Sequence, residues 1–269
     1  MIRVLFLADT HLGENLAITP GMNAANLKNS HFVNFHKALS MAFEKKVDFV
    51  VHGGDLFYRS KFPDTLIYLA FEPIIKVAEL SIPFIIVPGN HERSKIKTTL
   101  FTMHPNIHIF SKPTTFNFNI NGTTIAFVGF PNERNNIRDN FPKLVSQTGW
   151  KNSRADINLL CMHQTVEGAQ VGRNNFTFFT GADVIPGSIL PAGFDAYLSG
   201  HIHRQQTLTH NIAGFAFPAP FIYAGSTERT SAQENHEKKG FFILEFTHNK
   251  NTTSTLKNFE FYELPSALM

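Results

Sequence analysis

Cysteine is almost missing: Cys161 stands alone among 269 residues, which excludes an internal disulfide framework and suits a reducing compartment. Long apolar runs are missing too. The opening stretch Met1 to Ala8 briefly resembles the apolar part of a signal peptide. Asp9-Thr10-His11 interrupts it too early for either a leader or a membrane span. It reads instead as the first β-strand of a cytoplasmic protein with no membrane contact. No basic tail or Lys/Arg run is present. The net charge of +3 and pI near 8.9 therefore permit a polyanionic partner without demanding one. Finally, no Ser/Gly/Pro-rich linker, repeat or low-complexity tract divides the chain. The expectation is a single domain over 1–269 with two facing sheets, and no separate capping domain.

What remains is ordinary globular material, 43% apolar and 17% charged, enough to bury a proper core. The 28 phenylalanines point to thick aromatic packing between sheets and helices. In the N-terminal half, short apolar runs alternate with helical patterns. Ile2 to Ala8, Val47 to Val51 and Ile82 to Val87 read as strands. Phe32, Phe35, Leu39, Ala42 and Phe43 fall on one helix face. Asp64 after Pro63 is placed to cap the next helix, and Pro73 should kink or divide it. Such alternation indicates parallel pairing in a layered α/β fold. From about Ile107 the pattern changes. Asn121-Gly122 marks a hairpin between Thr115–Ile120 and Thr123–Val128. Ile157–Met162, Ala196–Ser199 and Phe221–Ala224 read as buried strands, and a closing β-hairpin is expected at about 240–264.

Five short segments carry the chemistry: Asp9-Thr10-His11, Gly53-Gly54-Asp55, Gly89-Asn90-His91-Glu92, Met162-His163 and Gly200-His201-Ile202-His203. Each follows an apolar run that reads as a strand. Singly, each is an ordinary strand-ending turn or a polar surface pair. Together they would converge at the carboxyl ends of strands, where α/β proteins build their sites. Carboxylate, amide oxygen and imidazole in one set suit manganese, iron or zinc. With Asp55 as a bridge, Asp9, His11, Asp55 and His203 would hold one ion. Asp55, Asn90, His163 and His201 would hold the other, leaving His91 to act on the substrate. Two divalent ions against two carboxylates leave net positive charge for a hydroxide and a phosphodiester. Ions roughly 3.5–4 Å apart would lower the pKa of bound water from 15.7 to about 7 and neutralise both the attacking and the leaving oxygen.

With these motifs in this order, the sequence resembles the calcineurin-like metallophosphoesterase superfamily, which implies a four-layer sandwich of two β-sheets flanked by helices. The closer similarity is to SbcD-type DNA-repair exonucleases, relatives of the Mre nuclease family. It rests on Ala8-Asp9-Thr10-His11-Leu12-Gly13, Gly54-Asp55-Leu56-Phe57, Pro88-Gly89-Asn90-His91-Glu92-Arg93-Ser94, Gly200-His201-Ile202-His203-Arg204 and Ala224-Gly225-Ser226-Thr227-Glu228-Arg229-Thr230-Ser231. What this resemblance implies is manganese-dependent hydrolysis of DNA phosphodiesters, with His91 stabilising the transition state and protonating the leaving oxygen. By the same resemblance Tyr58, Arg59, Arg93, Arg173, Arg204 and Arg229 are candidate substrate contacts. The nucleases usually carry histidine where Tyr58 stands, and a phenol cannot carry its positive charge. They also extend beyond Met269 with a DNA-capping domain and an ATPase-binding segment, so both are expected to be absent or minimal here. That argues against an SbcC-like ATPase partner. A homodimer stays open.

Two rival functions are a phosphoesterase acting on cyclic nucleotides, phosphoproteins or small phosphoesters, and a non-catalytic scaffold on the same fold. The run Asp55-Leu56-Phe57-Tyr58-Arg59 lacks the Asp-Arg-Gly element of protein phosphatases, and the complete ligand set argues against a decayed site. Cys161, two residues before His163, reads as a buried strand residue rather than a thiolate ligand. His31, His36, His104, His108, His210, His236 and His248 follow no ligand spacing and are expected on the surface or in loops. His52 has two readings, a supporting contact to a ligand or core packing. Gln164 and Glu167 could orient ligands or water.

Overall fold

A computed structural model describes residues 1–14, 29–60, 64–92, 104–249 and 252–266. The first strand, β1 (Ile2–Leu7), pairs in parallel with β2 (Phe49–His52), β2 with β3 (Phe84–Ile86), and β3 with β4 (Ile107–Ile109). On the other edge β15 (Gly240–Asn249) lies antiparallel to β1, and β16 (Thr252–Glu263) antiparallel to β15. This is the closing hairpin expected at 240–264.

The second sheet has six strands as well. Its parallel centre is β6 (Thr123–Gly129), β7 (Ile157–His163), β12 (Ala196–Gly200) and β14 (Ala216–Tyr223). Antiparallel β5 (Thr114–Ile120) and β13 (Gln206–His210) form its edges. Two short ribbons complete the strands: β8 (Thr165–Val166) beside β11 (Val184–Ile185), and the hairpin of β9 (Gln170–Val171) with β10 (Phe176–Thr177).

The layers follow from strict alternation along the strands. In β1, Ile2, Val4 and Phe6 face the second sheet, where they meet Ile125, Phe127, Leu159, Leu198 and Ile222. Leu5 and Leu7 face the opposite way, onto helices α1 (Ser30–Glu44) and α2 (Asp64–Glu79). The outer face of the second sheet is covered by α3 (Ile137–Gln147) through Ile137, Phe141 and Val145. The result is a helix–sheet–sheet–helix sandwich of the kind expected from the motifs. Phenylalanines join the sheets edge to face or tilted, Phe49 with Phe127 at 4.9 Å and Phe118 at 5.2 Å. Cys161 sits in this inter-sheet layer, fully buried, and burial pushes its thiol pKa far up. No described helix is long and apolar enough to cross a membrane.

Three local expectations need correction. Pro73 does not divide its segment; α2 runs as one helix with Pro73 inside and buried, so packing offsets the hydrogen bond the ring removes. The strand expected at Phe221 begins earlier, at Ala216, despite Pro218 and Pro220. Both prolines fall where pairing demands little of them: β12 joins β14 only from Phe221 onward, and the β13 register breaks between Leu208 and His210. His31 is not a surface residue. It lies buried in the first turn of α1, and His108 and His248 are in strands rather than loops.

Candidate metal centre

Every one of the five motif segments leaves the carboxyl end of a parallel strand, three in the first sheet and two in the second. The chain turns sharply at these ends. Asp9, His11, Asp55 and His201 all adopt left-handed backbone, with φ of 50°, 44°, 52° and 83°. Such a conformation costs a side-chain-bearing residue about 1–3 kcal/mol and persists only where surrounding structure holds it. Here the holding groups are visible. Asp9 N–H donates to Gly54 O and His11 N–H to Asp55 O. The Asp9 carboxylate takes the N–H of His201 at 3.1 Å to each oxygen. Gly54, at φ 107°, has no room for a side chain: a Cβ there would lie 2.3 Å from His163 Nδ1. Gly54→Ala should therefore lower stability by more than about 1 kcal/mol and displace His163. Urea denaturation together with metal titration checks both effects.

The side chains converge in two halves. In one, His11 Nε2 and His203 Nε2 stand 3.0 Å apart, and Asp9, His11 and His203 offer ligand atoms mutually within 4.8 Å. In the other, the Asn90 amide oxygen lies 2.9 Å from both His163 Nε2 and His201 Nδ1. Asp55 reaches both halves. It shares a potential ligand group with Asp9 and His163, and another with His11 and His91.

Tautomer logic shows that this donor set fits cations. His163 Nδ1 is 2.8 Å from the Gly53 carbonyl, so Nδ1 must carry a proton and donate. Its Nε2 then faces two acceptors, Asn90 Oδ1 and, at 3.4 Å, Asp55 Oδ2. That arrangement is repulsive unless a proton or a metal ion lies between them. Burial pushes the His163 pKa down, yet the Asp55 and Asp9 carboxylates and the Gly53 carbonyl outweigh it and raise the value to about 9. The surrounding carboxylates and carbonyl thus favour positive charge at the position where a ligand lone pair would hold a metal. The His11–His203 pair repeats the pattern. Burial and His203 push His11 well down. His203 stands raised because the Glu234 and Asp9 carboxylates outweigh its burial.

His91 hangs over the junction. Its Nδ1 donates to the Tyr58 carbonyl and its backbone N–H to Asp55 Oδ1 at 2.9 Å, leaving Nε2 3.8 Å from Asp55 Oδ2. The Tyr58 ring is half-exposed, with centroid distances of 6.1 Å to His11 and 5.8 Å to His91. Arg59 stacks on Tyr58 at 5.6 Å. Arg173 is exposed and donates to His236. Arg93 lies outside the described residues. Arg204 is spent internally on Glu237, Asn175 and Gly172. Arg229 is likewise committed, to the carbonyls of Glu234, Ser266 and Glu237. Gln164 and Glu167 point elsewhere, Gln164 to the Glu133 carbonyl and Glu167 to the Gly187 N–H.

Several supporting residues escaped the sequence reading or were left open by it. His52 takes the supporting role rather than plain packing. Its Nδ1 accepts from Gly54 N–H at 3.2 Å, and its Nε2 is 3.1 Å from Thr10 Oγ1, which itself donates to the Leu56 carbonyl. Burial lowers the His52 pKa to about 3, so the ring is neutral. Buried Glu92 receives Phe57 N–H and Gly89 N–H at 2.8 Å each, tying the second and third motif loops together. His31 Nδ1 is 3.0 Å from the Thr10 carbonyl. Exposed Arg134 donates to the Asn90 carbonyl. Glu92 stood inside a quoted motif, whereas nothing local marked Arg134 or His31.

A DNA double-strand break repair protein Mre11 from Methanopyrus kandleri is 24% identical over 91% of this chain and 54% of its own length. An uncharacterized metallophosphoesterase, YhaO, from Bacillus subtilis is 26% identical over 90% of this chain and 56% of its own. The chain thus spans little more than half the length of these relatives. A dimetal phosphatase from Danio rerio shares the fold at 12% identity, with a TM-score of 0.50 over 90% of this chain and 92% of that one. Residues 2–205 match the family described as Calcineurin-like phosphoesterase, and with all five motif segments inside that span, the chain belongs to that family of hydrolases.

Proposed function

We propose that this protein hydrolyses DNA phosphodiesters with two divalent ions, manganese by preference. Asp9, His11, Asp55 and His203 would hold one ion, and Asp55, Asn90, His163 and His201 the other. The observation that carries the reading is the convergence of seven candidate ligand side chains from five strand ends. When bound, the ions supply a nucleophile from water at neutral pH and neutralise charge on both reacting oxygens.

The chain's own residues do the rest. Glu92, His52 and the Asp9–His201 contact keep the motif loops in register, so the ligands are placed before substrate arrives. His91, pinned through Nδ1, presents Nε2 to the leaving oxygen and delivers its proton. Arg59, Arg134 and Arg173 stand exposed on strand-end and hairpin loops, where a phosphate backbone would find them. DNA as the substrate is supported by relatives named as DNA break repair proteins.

A small diester is the second reading, favoured by Tyr58. Its phenol puts an aromatic face, not a cation, beside His11 and His91. The deciding experiment offers end-labelled single- and double-stranded DNA, cyclic AMP and a chromogenic diester to the manganese-loaded protein. Nucleotide release from labelled DNA is the expected result. Rapid cleavage of the small diesters with DNA left intact would overturn the DNA assignment in favour of the second reading.

A further inference from the structure

The segment after β14, Ala224 to Ser231, resembles the repair nucleases but supplies no ligand, and it lies beyond the 2–205 family match. Its bonds reveal its use. Ser226 continues the first sheet as a bridge beside Ala8, next to Asp9. Asn34 of α1 donates to the carbonyls of Thr227 and Pro265. The chain then turns through a short 3-10 helix, Ala232–Glu234, which delivers Glu234 to the back of His203. Glu234 Oε1 is 3.0 Å from His203 Nδ1, and Thr230 Oγ1, 3.1 Å from the same nitrogen, donates to Glu234 at 2.8 Å. The other carboxylate oxygen, Oε2, takes Lys239 Nζ at 2.7 Å.

Lys239 has no exposed surface. It also bonds Glu237 at 3.3 Å and the His203 carbonyl at 3.0 Å. A buried ammonium is costly unless paired, and these partners tie its burial to both ends of His203. The pair is therefore built around one candidate ligand.

We propose that Glu234, held by Lys239 and Thr230, is the positioning residue of the metal half-site containing Asp9, His11 and His203. The proposal rests on the two-metal reading above. The carboxylate fixes a proton on His203 Nδ1, so Nε2 presents its lone pair toward His11 and Asp9, and the adjacent negative charge makes that lone pair a stronger donor. The other half-site is built differently. Among the described residues, His163 Nδ1 meets only the neutral Gly53 carbonyl. Loss of Glu234 should consequently weaken one ion and spare the other.

The test is a manganese titration of the full chain by calorimetry and by electron paramagnetic resonance, with circular dichroism to monitor folding. Wild type should bind two ions. In Glu234→Ala, one of the two affinities should fall by about 10- to 100-fold, converting the coupled two-ion signal to that of an isolated ion. Glu234→Gln, which keeps an oxygen opposite Nδ1, should recover part of the loss, and it carries the test if the alanine variant fails to fold. Glu245→Gln removes the charge of a carboxylate paired with Arg3 and outside the Glu234–Lys239 network, so it should leave both affinities unchanged. Two unaltered affinities in the Glu234 variants, or equal losses in Glu245→Gln, would overturn the proposal. Failure of the wild type to bind two ions would instead refute the two-metal reading beneath it.

Discussion

Replacing His91 by alanine should lower turnover of a phosphodiester by about 10²- to 10⁴-fold, the usual contribution of a positioned general acid, while leaving both ions bound. The separation of these two effects follows from how His91 is attached. Its contact to Asp55 Oδ1 comes from the backbone N–H, which alanine retains, so the carboxylate proposed to bridge the ions keeps its anchor. The side chain is fixed by Nδ1 to the Tyr58 carbonyl, so what alanine removes is the Nε2 atom facing the reacting group. Metal content and single-turnover rates should be measured on the same sample. His91 also falls within a potential ligand group with His11 and Asp55. A fall in metal content matching the fall in rate would show that it binds an ion and that the leaving group is protonated by something else.

The parts of this site that were legible in sequence are those whose chemistry restricts residue type. Asp9, His11, Asp55, Asn90, His163, His201 and His203 each sit one to four residues past a short apolar run that reads as a strand, so those runs and side-chain chemistry together locate them. The supporting layer is invisible at that level because its partners are distant in the chain. Asn34 finds Thr227 193 residues away, and Lys239 reaches the His203 carbonyl across 36. Arg204 shows the opposite failure. It directly follows His203, where a substrate contact is plausible, yet its guanidinium closes onto Glu237, Asn175 and Gly172. Helix α3 was obscured for another reason. Only Ile137, Phe141 and Val145 are buried, Pro142 interrupts, and Asn136 makes no side-chain capping bond, so no single local signal marks it.

Manganese affinity should depend steeply on pH, because proton and metal compete for the same atoms. In the metal-free protein His163 holds its proton up to about pH 9, and that proton must leave before Nε2 can bind an ion. Between pH 6 and 9 the affinity of the half-site containing His163 should rise about tenfold per unit, about 1.4 kcal/mol each, and flatten above pH 9. Asp9 is raised to about 6, by burial against the opposing pull of His163 and His203, so below pH 6 its proton must be displaced as well and overall two-ion binding should fall more steeply still. The stability of the metal-free fold runs the other way. Both groups hold protons more tightly folded than unfolded, so what they contribute is fully present at low pH. It is lost as pH rises, through about 6 for Asp9 and about 9 for His163. The gap in melting temperature between manganese-loaded and metal-free protein should therefore widen from pH 6 to pH 9. Calorimetry in buffers of different ionisation heat should register close to one proton released at pH 7 by ion binding at the His163 half-site. Proton release near zero, with affinity flat across this range, would mean that His163 Nε2 is not where the metal binds.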